Sequence, residues 1–380
     1  IISAPELHFT VPQLKADAGL LIGAGHHPMG WNALVPVAAN GAFYNQIQLQ
    51  ELLDIYHSRR YDCKPWDEVG IETEISTNQQ HPYLHTLSQM LDTDLIASGN
   101  FTVVTDFCNG SGAKIANRFA NRLGIKMIPL NDTLSGVLPH NPEPRPRSSV
   151  QVQSIVKALE ADIGFVFNSD MSRTAIVTNT GETLSEEYTF PLVADQILSN
   201  ASKQMSVVTN WCTTKTLDDI AEKHNATLHK VQVGESIIID RMLELKADLS
   251  GDGSGSAAFN NHIYAYDNFM VMGVILEAMA KQKCTSAELA ASLPRYHIIK
   301  KTIPCSSTHA YTCLRNFRDA FPDAVVSDED GFRFDWPDGW AHLRASMTEP
   351  LVRMIVEFNS KEKAEDKAFQ IRGMLERMIA

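Results

Sequence analysis

Four short polar segments carry the residues whose types and spacing could bind or move a charged group. The first, Gly23-Ala24-Gly25-His26-His27-Pro28, follows an apolar run and has the outline of a G-x-G-x-x-G turn. Pro28 stands at the third glycine position and no acidic residue is clearly placed downstream, so this is not read as a dinucleotide site. The paired histidines are acid–base and metal-ligand types, but adjacent side chains diverge, which argues against a shared ion. The second segment is Asn168-Ser169-Asp170-Met171-Ser172-Arg173. Alternate side chains of a sharp loop converge on a divalent cation when they are carboxylates, and here only Asp170 is one. The third, Gly251-Asp252-Gly253-Ser254-Gly255-Ser256, lets a ligand approach the backbone closely, or is simply a flexible turn. Asp248, Ser250 and Asp252 imitate the start of a calcium loop, but Phe259 stands where the bidentate glutamate belongs, which excludes calcium. The fourth runs from Arg344 to Arg353. Two hydroxyls, Ser346 and Thr348, and exposed backbone amides between two arginines suit a phosphate, and that reading is preferred over a solvated charged turn.

The elements that must hold these segments are short strands and helices in alternation. Phe101–Phe107 is an apolar strand followed by an Asn-Gly-Ser-Gly turn and a helix with Ile115, Phe119 and Leu123 on one face, stopped at Gly124. Lys126–Leu130 is the next strand. The same grammar returns at Ser206–Asn210, with a stripe of Leu217, Ile220 and Ala221 closed by Asn225 and a strand over Thr227–Val233. Such repeats predict parallel α/β layers in separate domains. Upstream, Ala18–Gly23 is a strand, and an amphipathic helix surrounds Leu49, Leu52, Leu53 and Tyr56. Pro142–Pro146 is an extended connector. The tail differs, with strands over Gly331–Trp336 and Trp340–Arg344 and a charged helix from about Ser360 whose inner face is Ala364, Ala368, Ile371 and Leu375.

With 380 residues the chain is too long for one core, and 44% hydrophobic with 21% charged residues is ordinary for a globular protein. A net charge of −12 argues against a nucleic-acid or anionic-membrane partner, so an anionic ligand needs a local cluster of Arg and Lys. Six scattered cysteines without a CxxC pair read as free thiols in a reducing cytoplasm. Phe269–Ala280, the longest apolar run, is too short to span a bilayer. No targeting segment is visible, and a start at Ile1 without Met suggests a start that is not native.

Taken in order, the four segments resemble the loops of the α-D-phosphohexomutase superfamily, which includes phosphoglucomutases, phosphomannomutases and phosphoglucosamine mutases. The resemblance covers nearly the whole chain. Gly23–Pro28 matches the active-site loop T-A-S-H-N-P, and Asn168–Arg173 the metal loop D-G-D-G-D-R. Gly251–Gly255 matches the sugar loop G-E-G-S/N-G, and Arg344–Pro350 the phosphate loop R-P-S-G/N-T-E-P. The segments PHNPEPRP and RYHIIKKTIPC also look like family text. The resemblance implies three related α/β domains, the first incomplete, plus a C-terminal α+β domain around a central cleft. The expected boundaries are residues 1–98, 99–202, 203–304 and 305–380. It also implies substrate contacts from Asp252, Ser254, Arg344, Ser346, Thr348 and Arg353, and catalytic positions at Gly25, His26, His27 and Arg173.

The departures bear on function. The family's phosphorylated serine passes a phosphoryl group to a hexose phosphate, and its position here is Gly25, which carries no oxygen. The three metal-binding aspartates match Asn168, Asp170 and Ser172, leaving one carboxylate for Mg²⁺; no nucleotide cofactor is expected. The lysine of N-G-x-K matches Val35. Phosphoryl transfer rests on positioning and electrostatic neutralisation, the parts altered here. The leading expectation is therefore a phosphosugar-binding member with weak or lost mutase turnover, acting as a sensor or scaffold with a protein partner or a second copy. The alternatives are an enzyme of another class using His26, His27 or Asp170 on a sugar phosphate, or a mutase working with unusual residues.

Overall fold

Two of the four sheets share one strand order, and the polar turns of antiparallel pairs in three of the sheets carry the first three segments. The computed structural model describes residues 1–75, 81–346 and 350–379, apart from the side chains of residues 307, 308 and 311. The first unit holds α1 (Ala4–Gln13), β1 (Ala18–Gly23), β2 (Ala33–Ala38) and α2 (Gln46–Ser58). α1 starts with a capping box in which Ser3 and Glu6 satisfy each other's end of the helix. β1 and β2 form a two-stranded antiparallel ribbon. α3 (Pro82–Met90) and α4 (Thr93–Ser98) lead onward.

The second unit contains β3 (Thr102–Asp106), α5 (Ala113–Leu123), β4 (Lys126–Leu130), α6 (Val150–Ala158), β5 (Ile163–Phe167), β6 (Thr174–Thr178) and α7 (Thr189–Ser199). The third contains β7 (Ser206–Asn210), α8 (Thr216–Lys223), β8 (Thr227–Val231), α9 (Glu235–Leu245), β9 (Leu249–Asp252), β10 (Ser256–Phe259), α10 (Asn268–Gln282) and α11 (Ser286–Ala291). Their sheets run in the matching orders β4-β3-β5-β6 and β8-β7-β9-β10. In each, the first three strands in space are parallel and the last turns back antiparallel. The expectation of parallel layers thus holds for β3, β4 and β5, while the ligand-type loops close antiparallel hairpins. β5 and β6 are buried at every position, as continuous apolar strands between helices must be. β8 ends at Val231, two residues before the expected end, as the chain turns toward α9.

The apolar run over Phe269–Ala280 lies in α10, a core helix with buried residues all round. Asp267 caps it by accepting hydrogen bonds from the Phe269 and Met270 amides. α2 departs from its pattern. Leu49, Leu52, Leu53 and Tyr56 share one face as expected, but no residue of the helix is buried.

The fourth unit comprises β11 (His297–Pro304), α12 (Ser307–Phe317), β12 (Val325–Ser327), β13 (Phe332–Trp336), β14 (Gly339–Ala345), β15 (Leu351–Phe358) and α13 (Lys361–Ile379). Its five strands are antiparallel in the order β11-β15-β14-β13-β12. Phe317, Phe334 and Phe358 pack with Ala364, Ala368, Ile371 and Leu375, the face read from the helical spacing. All six cysteines are free thiols. Among the described residues, no helix is long and apolar enough to cross a membrane.

Candidate functional site

A cavity of about 210 Å³ lies where the second, third and fourth units meet. Its phosphate-type wall comes from Arg344 and Arg353. The sequence reads residues 344–353 as one loop, but Arg344 belongs to β14 and Arg353 to β15, directly opposite in register. Strand pairing therefore fixes the spacing of the two arginines. Arg344 NH1 lies 3.8 Å from Asp330 Oδ1, a loose pair. Ser346 is buried next to this wall, its amide bonded to the Leu351 carbonyl. Thr348 lies outside the described residues.

The turn between β9 and β10 supplies Asp252, Gly253 and Ser254 to the same cavity. Its glycines have a steric reason. A Cβ on Gly255 would sit 2.0 Å from the Thr174 carbonyl oxygen at φ +84°, and one on Gly253 would strike the Glu187 carboxylate. Asp252 Oδ1 accepts from the Ser254 amide at 2.9 Å and from Ser254 Oγ at 2.5 Å.

The β5–β6 turn is closed by its own side chains. Asn168 Nδ2 donates to Ser172 Oγ at 2.9 Å, Asn168 Oδ1 accepts from the Arg173 amide at 2.9 Å, and Asp170 Oδ1 accepts from the Ser172 amide at 3.0 Å. With an amide, a hydroxyl and one carboxylate engaged this way, the turn offers Mg²⁺ a single charged ligand, Asp170. Among the described residues, no three His, Cys, Asp or Glu side chains are grouped to hold a metal. Arg173 does reach the cavity, with NH1 3.0 Å from Glu143 Oε1.

The β1–β2 turn faces this second turn. Gly25 adopts φ +58°, its carbonyl accepts from Ser169 Oγ at 3.0 Å, and a Cβ there would lie 3.3 Å from Asp170 Oδ2. Gly25, His26, His27 and Asp170 are not among the described residues on the wall of the 210 Å³ cavity. The divergence expected of the adjacent histidines is corrected by the structure. Their rings stack with centroids 4.4 Å apart, and His27 stacks in turn on Trp31. Burial, then the Arg173 and His27 charges, push His26 down to about 4, so it is neutral at pH 7.

Residues 81–181 match the family model described as Phosphoglucomutase/phosphomannomutase, alpha/beta/alpha domain II, and residues 185–296 match that for domain III. A phosphoglucomutase/phosphomannomutase of Thermococcus kodakarensis is 28% identical over 368 residues, 96% of this chain and 80% of that protein. A "Probable phosphoglucosamine mutase" of Pyrococcus horikoshii is 27% identical, covering 95% of this chain and 79% of its own length. The crystal structure of a phosphoglucomutase/phosphomannomutase family protein from Burkholderia thailandensis superposes with a TM-score of 0.80 at 23% identity, covering 96% of this chain and 77% of that one. The chain belongs to the phosphohexomutase superfamily.

In this phosphohexomutase-superfamily protein, several cavity residues carry no local motif. Glu143 and Arg145 come from the connector, which is pinned by His140 Nε2 at 3.0 Å from Asp106 Oδ2. Glu143 bridges Arg145 at 2.9 Å and Arg173 at 3.0 Å. Lys300, on β11, reaches Glu187 at 2.6 Å and Glu186 at 3.1 Å. Burial pushes Glu187 up to about 8 against the pull of Lys300, while Lys300 itself is raised by the two carboxylates despite its burial. One cation thus serves two acids, and the buried one keeps its proton longest. Cys212 Sγ lies 3.2 Å from His342 Nδ1, but burial drives the thiol up to about 12 and the imidazole down to about 4. That pair is a neutral thiol and a neutral ring, not a thiolate nucleophile. The connector with Glu143 and Arg145 and the segment containing Lys300 both had a sequence signal, as family-like text without an assigned role.

Proposed function

We propose that the protein binds a phosphorylated hexose in this cavity and does not turn it over by a phosphoserine relay. The phosphate sits against Arg344 and Arg353, and the hydroxyls face the turn between β9 and β10. The observation that carries the reading is that the two in-register arginines, Arg173 and the Asp252–Ser254 turn line one cavity. Paired guanidinium groups suit a phosphate through charge-assisted hydrogen bonds. The names of the relatives support the ligand class. Loss of the relay is supported by Gly25, which has no side-chain oxygen, and by a second turn whose donors satisfy one another. An acid–base reaction using His26 is disfavoured, because an imidazole near 4 is a weak base at neutral pH.

The reading is tested by thermal shift with hexose 1- and 6-phosphates, the free hexoses and inorganic phosphate. A ligand held only by the folded state adds about 2.7 kcal/mol at 100 times its Kd, so a hexose phosphate at that excess raises the melting temperature and the free hexose does not. No shift with any hexose phosphate refutes it.

A further inference from the structure

Lys300 enters the cavity from the same face of the sheet as the two arginines. Across the neighbouring strands β11, β15 and β14, Thr302, Arg353 and Arg344 form one row, and Lys300, Ile355 and His342 form the next row on that face. Rows two residues apart along a strand share a face and stand about 7 Å from each other. Lys300, Arg353 and Arg344 all line the cavity. A phosphate held by the arginines therefore lies one row from the Lys300 ammonium.

That ammonium already has partners. Lys300 Nζ lies 2.6 Å from Glu187 Oε1 and 3.1 Å from Glu186 Oε1. Losing the cation would cost the two carboxylates differently. The Glu187 side chain is 3% exposed and that of Glu186 13%. Glu187 Oε2 accepts from the Thr214 amide at 3.3 Å and is pressed against the β9–β10 turn, where a Cβ on Gly253 would stand 2.0 Å from it. A buried carboxylate stripped of its cation is an uncompensated charge, and a proton removes that cost. The other titratable groups facing Glu187 are Glu186 beside it, Glu357 from β15 and the Cys212 thiol that follows β7. All three are acids, so none can stand in for Lys300. Burial, opposed by Lys300, already pushes Glu187 up to about 8, and withdrawing Lys300 raises it further.

We propose that binding of a hexose phosphate moves Lys300 from Glu187 to the phosphate, and that Glu187 takes up one proton from solvent in exchange. No covalent bond to the phosphate forms or breaks. The cation changes partner, and the carboxylate it leaves becomes a neutral acid. Glu187 holds its proton more tightly in the complex than in the free protein, so affinity falls as pH rises above about 8. This inference rests on the sugar-phosphate reading above.

The test is calorimetric titration of the full chain with glucose 1-phosphate, glucose 6-phosphate and mannose 1-phosphate, in buffers of different ionisation enthalpy. At pH 8.5 a phosphate monoester, with its second ionisation near pH 6, is a dianion and exchanges no proton of its own. The wild type should take up about 0.7 proton per hexose phosphate at that pH, and its Kd should rise roughly eightfold between pH 8.5 and 9.5. Glu187→Gln, which keeps the side chain's size, should lose most of both effects and bind at least as tightly as the wild type at pH 9.5. Lys300→Gln should lose the proton uptake and bind about tenfold more weakly at pH 7. A wild type that binds hexose phosphate without proton uptake at pH 8.5 overturns the inference and leaves the sugar-phosphate reading standing. So does wild-type uptake retained by Glu187→Gln, or wild-type affinity retained by Lys300→Gln at pH 7. A wild type that binds none of the three hexose phosphates at any pH overturns both.

Discussion

Restoring a serine at position 25 should not, alone, restore phosphoryl transfer. Gly25 sits at φ +58°, where an L residue costs about 1–2 kcal/mol, and its Cβ would stand 3.3 Å from Asp170 Oδ2. A phosphoryl group on that serine would be forced against the carboxylate with no cation between them. At about 4 Å and an effective dielectric near 20, each pair of like charges repels by about 4 kcal/mol, close to a thousandfold in an equilibrium constant. By the family resemblance, Asn168 and Ser172 stand where carboxylates would hold a neutralising cation, and Val35 stands where a lysine would add positive charge. The assay is phosphorus NMR of glucose 1-phosphate conversion with Mg²⁺ and a catalytic amount of the 1,6-bisphosphate. Wild type and Gly25→Ser should both stay at background. Gly25→Ser combined with Asn168→Asp, Ser172→Asp and Val35→Lys should gain measurable turnover, because such groups act as a unit. Gly23→Ser is the stability control: no atom lies within 4 Å of a Cβ there, so it should not show the loss that Gly25→Ser shows in urea unfolding. Robust turnover by the wild type, or by Gly25→Ser alone, would refute the reasoning.

Arg344→Ala should weaken a hexose phosphate by about 1.5–3 kcal/mol, roughly 10- to 150-fold in Kd, and leave the weak binding of the free hexose unchanged by calorimetry. Glu187 has a raised folded pKa, so its contribution to stability is fully present below its ordinary value of 4.5 and lost as pH rises through about 8. Glu187→Gln should therefore flatten the fall in urea stability across that window, leaving the part carried by Glu235, which titrates in the same range. Gly255→Ala meets the Thr174 carbonyl at 2.0 Å and needs φ +84°, and should cost roughly 3 kcal/mol with loss of hexose phosphate binding.

Much of this arrangement is legible in the chain without its fold. The apolar stripes of α5, α8 and α13, the Gly124 stop and the runs over β5 and β6 follow from local periodicity, because one buried face or two is enough to set them. The four polar turns are visible as interruptions of that pattern, and their order carried the family. The missing serine oxygen at Gly25 and the single carboxylate at Asp170 are sequence facts as well. Tertiary structure decided what those turns do. Arg344 and Arg353 face one cavity because β14 and β15 pair in register, a relation between strands that neither residue's neighbours encode. Lys300 meets Glu186 and Glu187, and Glu143 meets Arg173, across more than a hundred and about thirty positions of chain respectively. The exposure of α2 and the stacking of His26 on His27 likewise depend on what packs nearby. Periodicity fixes which face of an element is apolar, whereas desolvation and hydrogen-bond satisfaction depend on atoms brought together from distant chain, and those two quantities set the chemistry of the cleft.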